Sequence, residues 1–540
     1  MPGVRLGRWA AAAAALASVA VPVCTSGQHP GRSADHRAGG PADRHPELHP
    51  DLYPDLYPDL YPDRYQVQYP DQHAGRHTGA ALPERAVPPV LLPAGHRSRD
   101  EARIGNASRP ARPKPTVGLL SNATATEGVP RSLARGARYV EGSNVLRLAS
   151  GRWMYLPDGG TVSDTVDAGH PPALRQIERS RAWLAAGRVP GTSPAHRAAA
   201  GRALLSLRAL LRPNGAMAAG ASRGWQYSWP RDSSFACAAL ALTGHDAEAH
   251  RILRHSAATQ RADGTWEART ELDGSGPPDG RRWQLDANGW VPWATWQWYQ
   301  SAPRATRGGR LAALYPMIRK AADHAAVSLR PDGLPPASPD YWELMTATAN
   351  IGTAAPLLAG LNASADLARE AGRPADAERW ARAAGRLSAG ISARFLPLGY
   401  QRTADGRHGR DSAVAFMAPP FNEAPAGLAR ALDSTYGELL LPNGGLTPGN
   451  DPGAPWGGNA WTPSTAFFAL AWAATGRPAK AGPVLDWVLS KRNSLGELPE
   501  KVDKRGRPSS VAPLAWTASI AVLTLVALDG TVLPTPPLRG

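Results

Sequence analysis

Six short clusters in the second two thirds of this 540-residue chain bring together the side chains best suited to chemistry. They are Trp229-Pro230-Arg231-Asp232, Trp283-Gln284-Leu285-Asp286, Tyr341-Trp342-Glu343, Arg410-Asp411, the stretch from Trp456 to Trp461, and Leu498-Pro499-Glu500. Aromatic faces suit the apolar faces of pyranose rings, and Asp with Arg can share several hydrogen bonds with sugar hydroxyls. Cleaving a glycosidic bond needs two carboxyl groups in unlike surroundings. One stays protonated near neutrality and donates to the leaving oxygen; the other stays ionised and activates water or attacks carbon. Glu343, flanked by Trp342 and Leu344, is in the more apolar company, so a raised pKa and the acid role suit it. Glu500 shares a loop with Lys501 and Asp503, which suits a group kept ionised. Glu497 competes for the base role; the Leu-Pro pair ahead of Glu500 favours Glu500, and the two-carboxylate logic alone does not separate them. An inverting pair has to meet across roughly 6.5 to 9.5 Å, the room needed for a water.

Blander readings stand beside these. Asp232 and Asp286 can each cap the free amides of a helix N-terminus. Most of the 18 Trp residues belong in a core. Trp229, Trp283 and Trp342 are the choices to face sugar, with Arg231, Asp232, Gln284, Asp286, Tyr341 and Trp461 beside them. His245, His250, His255 and His324 lack the carboxylate or Cys spacing of a metal site, so no metal and no cofactor is expected.

Such clusters act together only if the elements between them deliver all six to one place. From Pro194 to Gly530 the sequence reads as about twelve helical segments. Leu204, Leu207 and Leu211 mark one apolar stripe; Leu311, Leu314, Ile318, Ala322, Ala325 and Leu329 mark another. Phe235 to Leu242, Thr465 to Ala474 and Leu514 to Leu528 are apolar nearly all round, as in buried helices, whereas Asp246 to Gln260 and Pro374 to Phe395 carry charge on one side. This alternation predicts an all-α fold of two concentric rings of six helices, an (α/α)6 barrel over residues 191–532, rather than an irregular helical domain. The clusters precede every second segment, and in an up-and-down succession every second helix runs the same way, so all six should converge at one end.

Ahead of the barrel the chain is built differently. Arg5 and Arg8, then the apolar run Trp9 to Val23, read as an export signal over residues 1–24, with a lipid on Cys24 as the alternative to release. Residues 25–115 are rich in Pro, Gly, His, Arg and Asp and carry the period Pro50-Asp51-Leu52-Tyr53, Pro54-Asp55-Leu56-Tyr57, Pro58-Asp59-Leu60-Tyr61. Pro at every fourth place forbids a regular helix, so a disordered tether to the cell envelope is expected. Residues 116–190 form a small β-rich segment, with strands expected between Ala137 and Val162. The localisation expected is therefore secreted or cell-surface, the assembly a monomer. With only Cys24 and Cys237 no disulfide scaffold exists. The net charge of +15 raises nucleic acid as a partner. Arg is scattered among acids, with no basic run interleaved with aromatics, and nucleic-acid binding is not expected.

The strings GWQYSWPRDSSFACAALALTG, WQLDANGW, PDYWE, GELPEKVD and APLAWTASIAVLTL, in that order, resemble the glycoside hydrolase family that contains glucoamylases, glucodextranases and a bacterial trehalase group. The likeness spans roughly Pro194 to Gly530. It implies an (α/α)6 barrel, inversion at the anomeric carbon and exo-attack from a non-reducing end of an oligo- or polysaccharide. By motif match Arg231 and Asp232 bind hydroxyls of the terminal glucose, Trp342 stacks near it, Glu343 is the acid and Glu500 the base. The sequence departs from the pattern in three places: Leu344 stands where fungal members have a second acidic residue, Lys501 where Gln is common, and the β-rich segment is small for the family's β-sandwich. The function expected is an inverting, glucoamylase-like hydrolase releasing β-glucose, with trehalase or α-1,6-specific glucodextranase or isomaltosidase action as alternatives of the same mechanism. A catalytically inactive envelope carbohydrate-binding protein is the alternative from another class. A phosphorylase would need a phosphate nest in place of the Glu500 loop.

Overall fold

The computed structural model describes residues 116–117, 129–156, 163–454, 456 and 458–539. The leader, the Pro-Asp-Leu-Tyr repeats and the rest of the expected tether lie outside the described residues. Two paired strands, β1 (Thr116–Val117) and β2 (Val129–Pro130), and the single turn of α1 (Arg131–Ala134) come first. A three-stranded antiparallel meander follows: β3 (Arg138–Tyr139), β4 (Val145–Arg147) and β5 (Trp153–Tyr155), with Leu146 opposite both Tyr139 and Met154. The same segment contributes α2 (Pro171–Ala186), which buries Ala173 and Ile177 against Val145.

Eleven α-helices then build the barrel: α3 (Pro194–Leu210), α4 (Pro230–Leu242), α5 (Asp246–Ala258), α6 (Ala287–Ser301), α7 (Arg304–Ser328), α8 (Ile351–Glu370), α9 (Pro374–Arg394), α10 (Leu428–Leu439), α11 (Thr462–Ala474), α12 (Pro478–Ser490) and α13 (Ala515–Leu528). Their ends carry chemical signals. Ser193 accepts from His196 N ahead of α3, Asn350 accepts from Thr353 N ahead of α8, and Pro opens α3, α4, α9 and α12 where its missing N–H costs nothing. Side-chain pattern then sorts the helices by ring. In α13 every residue from Ala515 to Val526 is buried, whereas α10 buries Leu428, Ala431, Leu432, Thr435 and Leu439 along one stripe. The inner ring closes on itself. It runs α4 to α6 to α8, then to a 3-10 helix over Ser412–Met417, then to α11, α13 and back to α4; α3, α5, α7, α9, α10 and α12 pack outside. This is the (α/α)6 barrel.

The expected eighth helical segment is that six-residue 3-10 helix. Ala418-Pro419-Pro420 stops it, because two prolines in succession supply no N–H to continue a helix. The space is filled otherwise. Pro420 O accepts from Trp293 Nε1 at 2.8 Å and Gln297 Nε2 at 3.3 Å on α6. Phe421 meanwhile enters an aromatic nucleus with Phe235, Trp290, Trp293 and Phe416 at centroid separations of 5.0 to 5.7 Å.

A second recurring device returns the chain from outer to inner ring. In the five-residue turns starting at Arg212, Arg261, Arg330, Leu441 and Asn493 the first N–H donates to the fifth carbonyl and the fourth N–H to the first carbonyl. The fourth residue is glycine each time, with φ between +79° and +93°. Asp503 to Arg507 repeats the form with Gly506, and Asp340 to Leu344 repeats it with Glu343 in the glycine's seat at φ +66°. A left-handed conformation costs an L-residue about 1–2 kcal/mol, so Glu343 is held there against local preference.

Inner helices also approach unusually closely where α6 and α8 cross. A Cβ on Gly289 would lie 2.1 Å from Pro356 O, and one on Gly360 would lie 2.5 Å from Gly289 Cα. Ala is the better helix former by about 1 kcal/mol, yet Gly289→Ala is expected to lower the thermal midpoint by several degrees, because backbone has to move. Calorimetry giving an unchanged or higher midpoint would contradict this crossing.

Candidate active site

All six inner elements begin at one end of the barrel, and the segments before them knit together there. Ser228 pairs with Thr270, Gly220 with Leu514, Asn350 with Thr403 and Asp411 with Gly449. A small sheet of β6 (Ala460–Trp461), β7 (Lys501–Val502) and β8 (Pro508–Ser509) sets Trp461 directly opposite Lys501, one residue from Glu500. Five inner α-helices thus turn their partially positive N-termini toward this end, which favours carboxylates gathered there.

Side-chain contacts link the clusters one to another. Trp229 Nε1 donates to Glu343 Oε1 at 2.8 Å. Arg231 Nη1 donates to Gln284 Oε1 and Asp286 Oδ2, both at 3.0 Å, and its guanidinium lies 4.9 Å from the Trp516 ring. Tyr341 donates to Asp411, the Trp342 ring meets Trp461 edge-on at 4.7 Å, and Lys501 Nζ sits 4.1 Å over Trp461 and 3.7 Å from Glu500 Oε2. Ser510 also donates to Glu500. Asp232 is central to the electrostatics. Burial pushes its carboxyl up to about 7; Arg231 works against this, and the charges of both Glu343 and Glu500 add to it. Contacts link the two glutamates as well: Trp342, next to Glu343, and Lys501, next to Glu500, both pack on the Trp461 ring.

The turn that seats Glu343 rests on Asp340 and Arg402, neither of them among the residues expected to serve the site. Asp340 Oδ1 accepts from the N–H groups of Trp342 and Leu344 at 2.9 and 3.1 Å, the same double acceptance that Asn493 and Asp503 make in the two glycine turns. Its other oxygen is gripped by buried Arg402, through Nη2 at 2.6 Å and Nε at 3.1 Å, and Arg402 Nη1 reaches Asp451 at 2.9 Å. Burial opposes the Arg402 charge, but Asp340, Asp411 and Asp451 outweigh it and hold the guanidinium above its ordinary value. The aspartate opening Asp340-Tyr341-Trp342-Glu343 had a signal in the sequence, since Asp503 and Asn493 likewise stand three places before a turn residue. Arg402 had none.

Several expected roles change with the geometry. Glu343 does not lie in apolar company: the left-handed turn directs it to Trp229 Nε1 and to Arg281, whose Nη1 is 2.5 Å from Oε2. Tyr341 is 1 % exposed and spends its hydroxyl on Asp411 and Ser412, so it supports the mouth and does not line it. Gln284 is likewise buried, accepting from Arg231 and donating to Asp340 O. Asp286 makes no capping bond; it accepts from Arg231 and from Trp290 Nε1 at 3.0 Å and so orients Arg231. Asp232 does not cap α4 either, because the cap position belongs to Trp229. Trp283 turns its ring edge-on to His324 of α7, in the outer ring, at 5.9 Å, apart from the other site aromatics. Glu497, the rival base, is buried with its oxygens accepting from Tyr139 Oη at 2.8 Å and Asn493 Nδ2 at 3.0 Å, which ties the loop to the β meander.

No protein-family sequence model matches the chain, nor does any curated protein sequence. Solved structures do. A glycosidase in its wild-type form aligns with a TM-score of 0.53 at 21 % identity, covering 63 % of this chain and 98 % of its own, and a variant of it described in complex with glucose aligns equally well at 20 % identity. A bacterial glucoamylase complexed with acarbose aligns over 67 % of this chain and 60 % of its own at 17 % identity and TM-score 0.53. The glucoamylase of Saccharomycopsis fibuligera gives 0.50 at 15 % identity, over 59 % and 89 % of the two chains. The chain therefore has the fold of these glycosidases and glucoamylases.

Proposed function

We propose that this protein is a glycoside hydrolase that releases β-glucose from the non-reducing ends of α-glucosides or α-glucans by inversion. The observation that carries the reading is the convergence of Glu343 and Glu500, 157 positions apart in the sequence, around Trp461 at the mouth of the barrel, which packs on Trp342 beside Glu343 and under Lys501 beside Glu500. Glu343 gives its proton to the glycosidic oxygen as the bond to C1 breaks. A water on the opposite face forms the new bond to C1 while Glu500 takes its proton. Glu343 ends as carboxylate, Glu500 as acid, and exchange with solvent resets both. Arg231 and Asp232 hold hydroxyls of the terminal glucose, Arg231 being aimed by Asp286 and Gln284. Trp342 and Trp461, packed at the mouth, supply the apolar wall. Glu500 takes the base role in preference to Glu497, whose oxygens are engaged with Tyr139 and Asn493. The leader and repeats support export and attachment at the envelope.

Maltose, isomaltose, trehalose, soluble starch and dextran, with product anomers followed by NMR, test the activity and its linkage preference. β-Glucose is the expected first product; α-glucose would refute inversion. Glu343→Gln and Glu500→Gln are each expected to lower kcat by roughly a hundredfold or more, the lower end of acid-base contributions. A near-normal rate in either variant removes that residue from its role. Because Glu343 holds a glycine's seat, Glu343→Gly is expected to abolish turnover while keeping or raising the thermal midpoint. A fall of many degrees would show that the turn is not strained by its glutamate.

A further inference from the structure

We propose that the leaving-group side of this site is built for an acidic aglycone, an α-glucoside whose departing alcohol carries a carboxylate or another anionic group met by Arg281. The inference rests on the hydrolase reading and adds a substrate class to it. A proton donor has to touch the leaving oxygen, so whatever touches Glu343 lines the side from which the leaving group departs. Two groups do. Trp229 Nε1 holds Oε1, and Arg281 Nη1 holds Oε2. With both oxygens engaged, one must be vacated before the carboxyl can reach a glycosidic oxygen. Trp229 is fixed, buried beneath Arg269 at 4.9 Å and against Tyr227 at 6.2 Å. Arg281 lies on the loop between Thr270 and α6 and has a second partner in Asp279, at 3.1 Å from its Nε, so it is the group that can swing away.

Charge around this loop then decides what Arg281 meets. Arg269 and Arg281 face Asp279 and Glu343: Arg269 pairs with Asp279, and Arg281 with both. The exposed Arg282 next to it places Nη1 3.8 Å from Met345 Sδ, with no carboxylate paired to it among the described residues. The reactive form of the enzyme has Glu343 protonated, which leaves two guanidinium charges, Arg269 and Arg281, against the one carboxylate of Asp279. The side chains of Arg269 and Arg281 are only 10 % and 14 % exposed, where water compensates poorly for a surplus charge. An anion on the departing group restores the balance. Leu344, next after the acid, brings no carboxylate to oppose it. Glu500 has Lys501 beside it and Asp232 has Arg231, so neither is left over to cancel the surplus.

Maltobionate and maltitol test this directly, because both carry an α-1,4-glucosyl bond to an open six-carbon chain and only one chain ends in a carboxylate. At low ionic strength kcat/KM for maltobionate is expected to exceed that for maltitol by roughly tenfold or more, as one charge-assisted hydrogen bond allows. The preference should shrink in added salt and fall to within about threefold in Arg281→Gln. Arg282→Gln should reduce it less. Equal rates on the two substrates in the natural protein, or a preference that Arg281→Gln leaves intact, overturn the acidic-aglycone proposal while maltose hydrolysis keeps the hydrolase reading. Refusal of α-glucosyl fluoride, both probes and every sugar in the panel above overturns the hydrolase reading and this proposal with it; cleavage of the panel sugars with refusal of maltobionate alone overturns this proposal only.

Discussion

The mouth of this barrel depends on the buried ion pair between Arg402 and Asp340. One oxygen of Asp340 holds the amides of the turn, and Arg402 holds the other oxygen while reaching Asp451 and lying 3.7 Å from Asp411. Three loops from three different parts of the chain are thereby fixed to one guanidinium. Removing either partner would leave an uncompensated charge where Arg402 is 3 % and Asp340 1 % exposed, an arrangement far costlier to break than a surface pair. That stiffness has a use at Glu343. A glutamate in the left-handed region relaxes unless its surroundings over-determine it, and the amide bonds to Asp340 are what do so.

The barrel supplies the frame for this clamp through small residues as much as large ones. Inner helices rich in Ala and Gly pack close, with α6 and α8 meeting at Gly289 and Gly360, and the aromatic nucleus around Phe235 fills the centre. Where Pro419 and Pro420 end the eighth segment early, Phe421 and the Pro420 carbonyl replace the missing turns. The inner ring therefore tolerates one irregular member without losing closure. All its elements still start at the mouth, so their amides remain oriented toward the carboxylates.

Much of this was legible in the sequence because barrel geometry converts chain order into direction. Clusters placed before alternate helices must share an end, and Glu343 and Glu500 do stand at the same end; the choice of Glu500 over Glu497 rests on the Leu-Pro pair ahead of it. Individual side-chain directions did not follow. Tyr341 sits in the same cluster as Trp342 and Glu343, yet it turns inward to Asp411, and Gln284 and Asp286 both turn inward to Arg231; a cluster's position says nothing about which of its members meets solvent. Arg402 and Arg281 lie in irregular loops with no period to place them, and each meets a carboxylate about 62 positions away. The seat of Glu343 is an intermediate case. Gly496 and Gly506 stand three places after Asn493 and Asp503, as Glu343 does after Asp340, so a glutamate in a glycine's place was visible before any contact was known.

That substitution also bears on how a carboxyl is prepared for proton donation. The sequence around Glu343 suggested an acid made weak by apolar neighbours, but a left-handed residue points away from the side chains adjacent to it. The neighbours that matter are then supplied by other loops, here an indole N–H and a guanidinium. In the acid role proposed for Glu343 the contact with Arg281 has to open first, and whatever occupies the leaving-group side is placed to open it. On that proposal, binding of the departing group and arming of the acid run through the same cation.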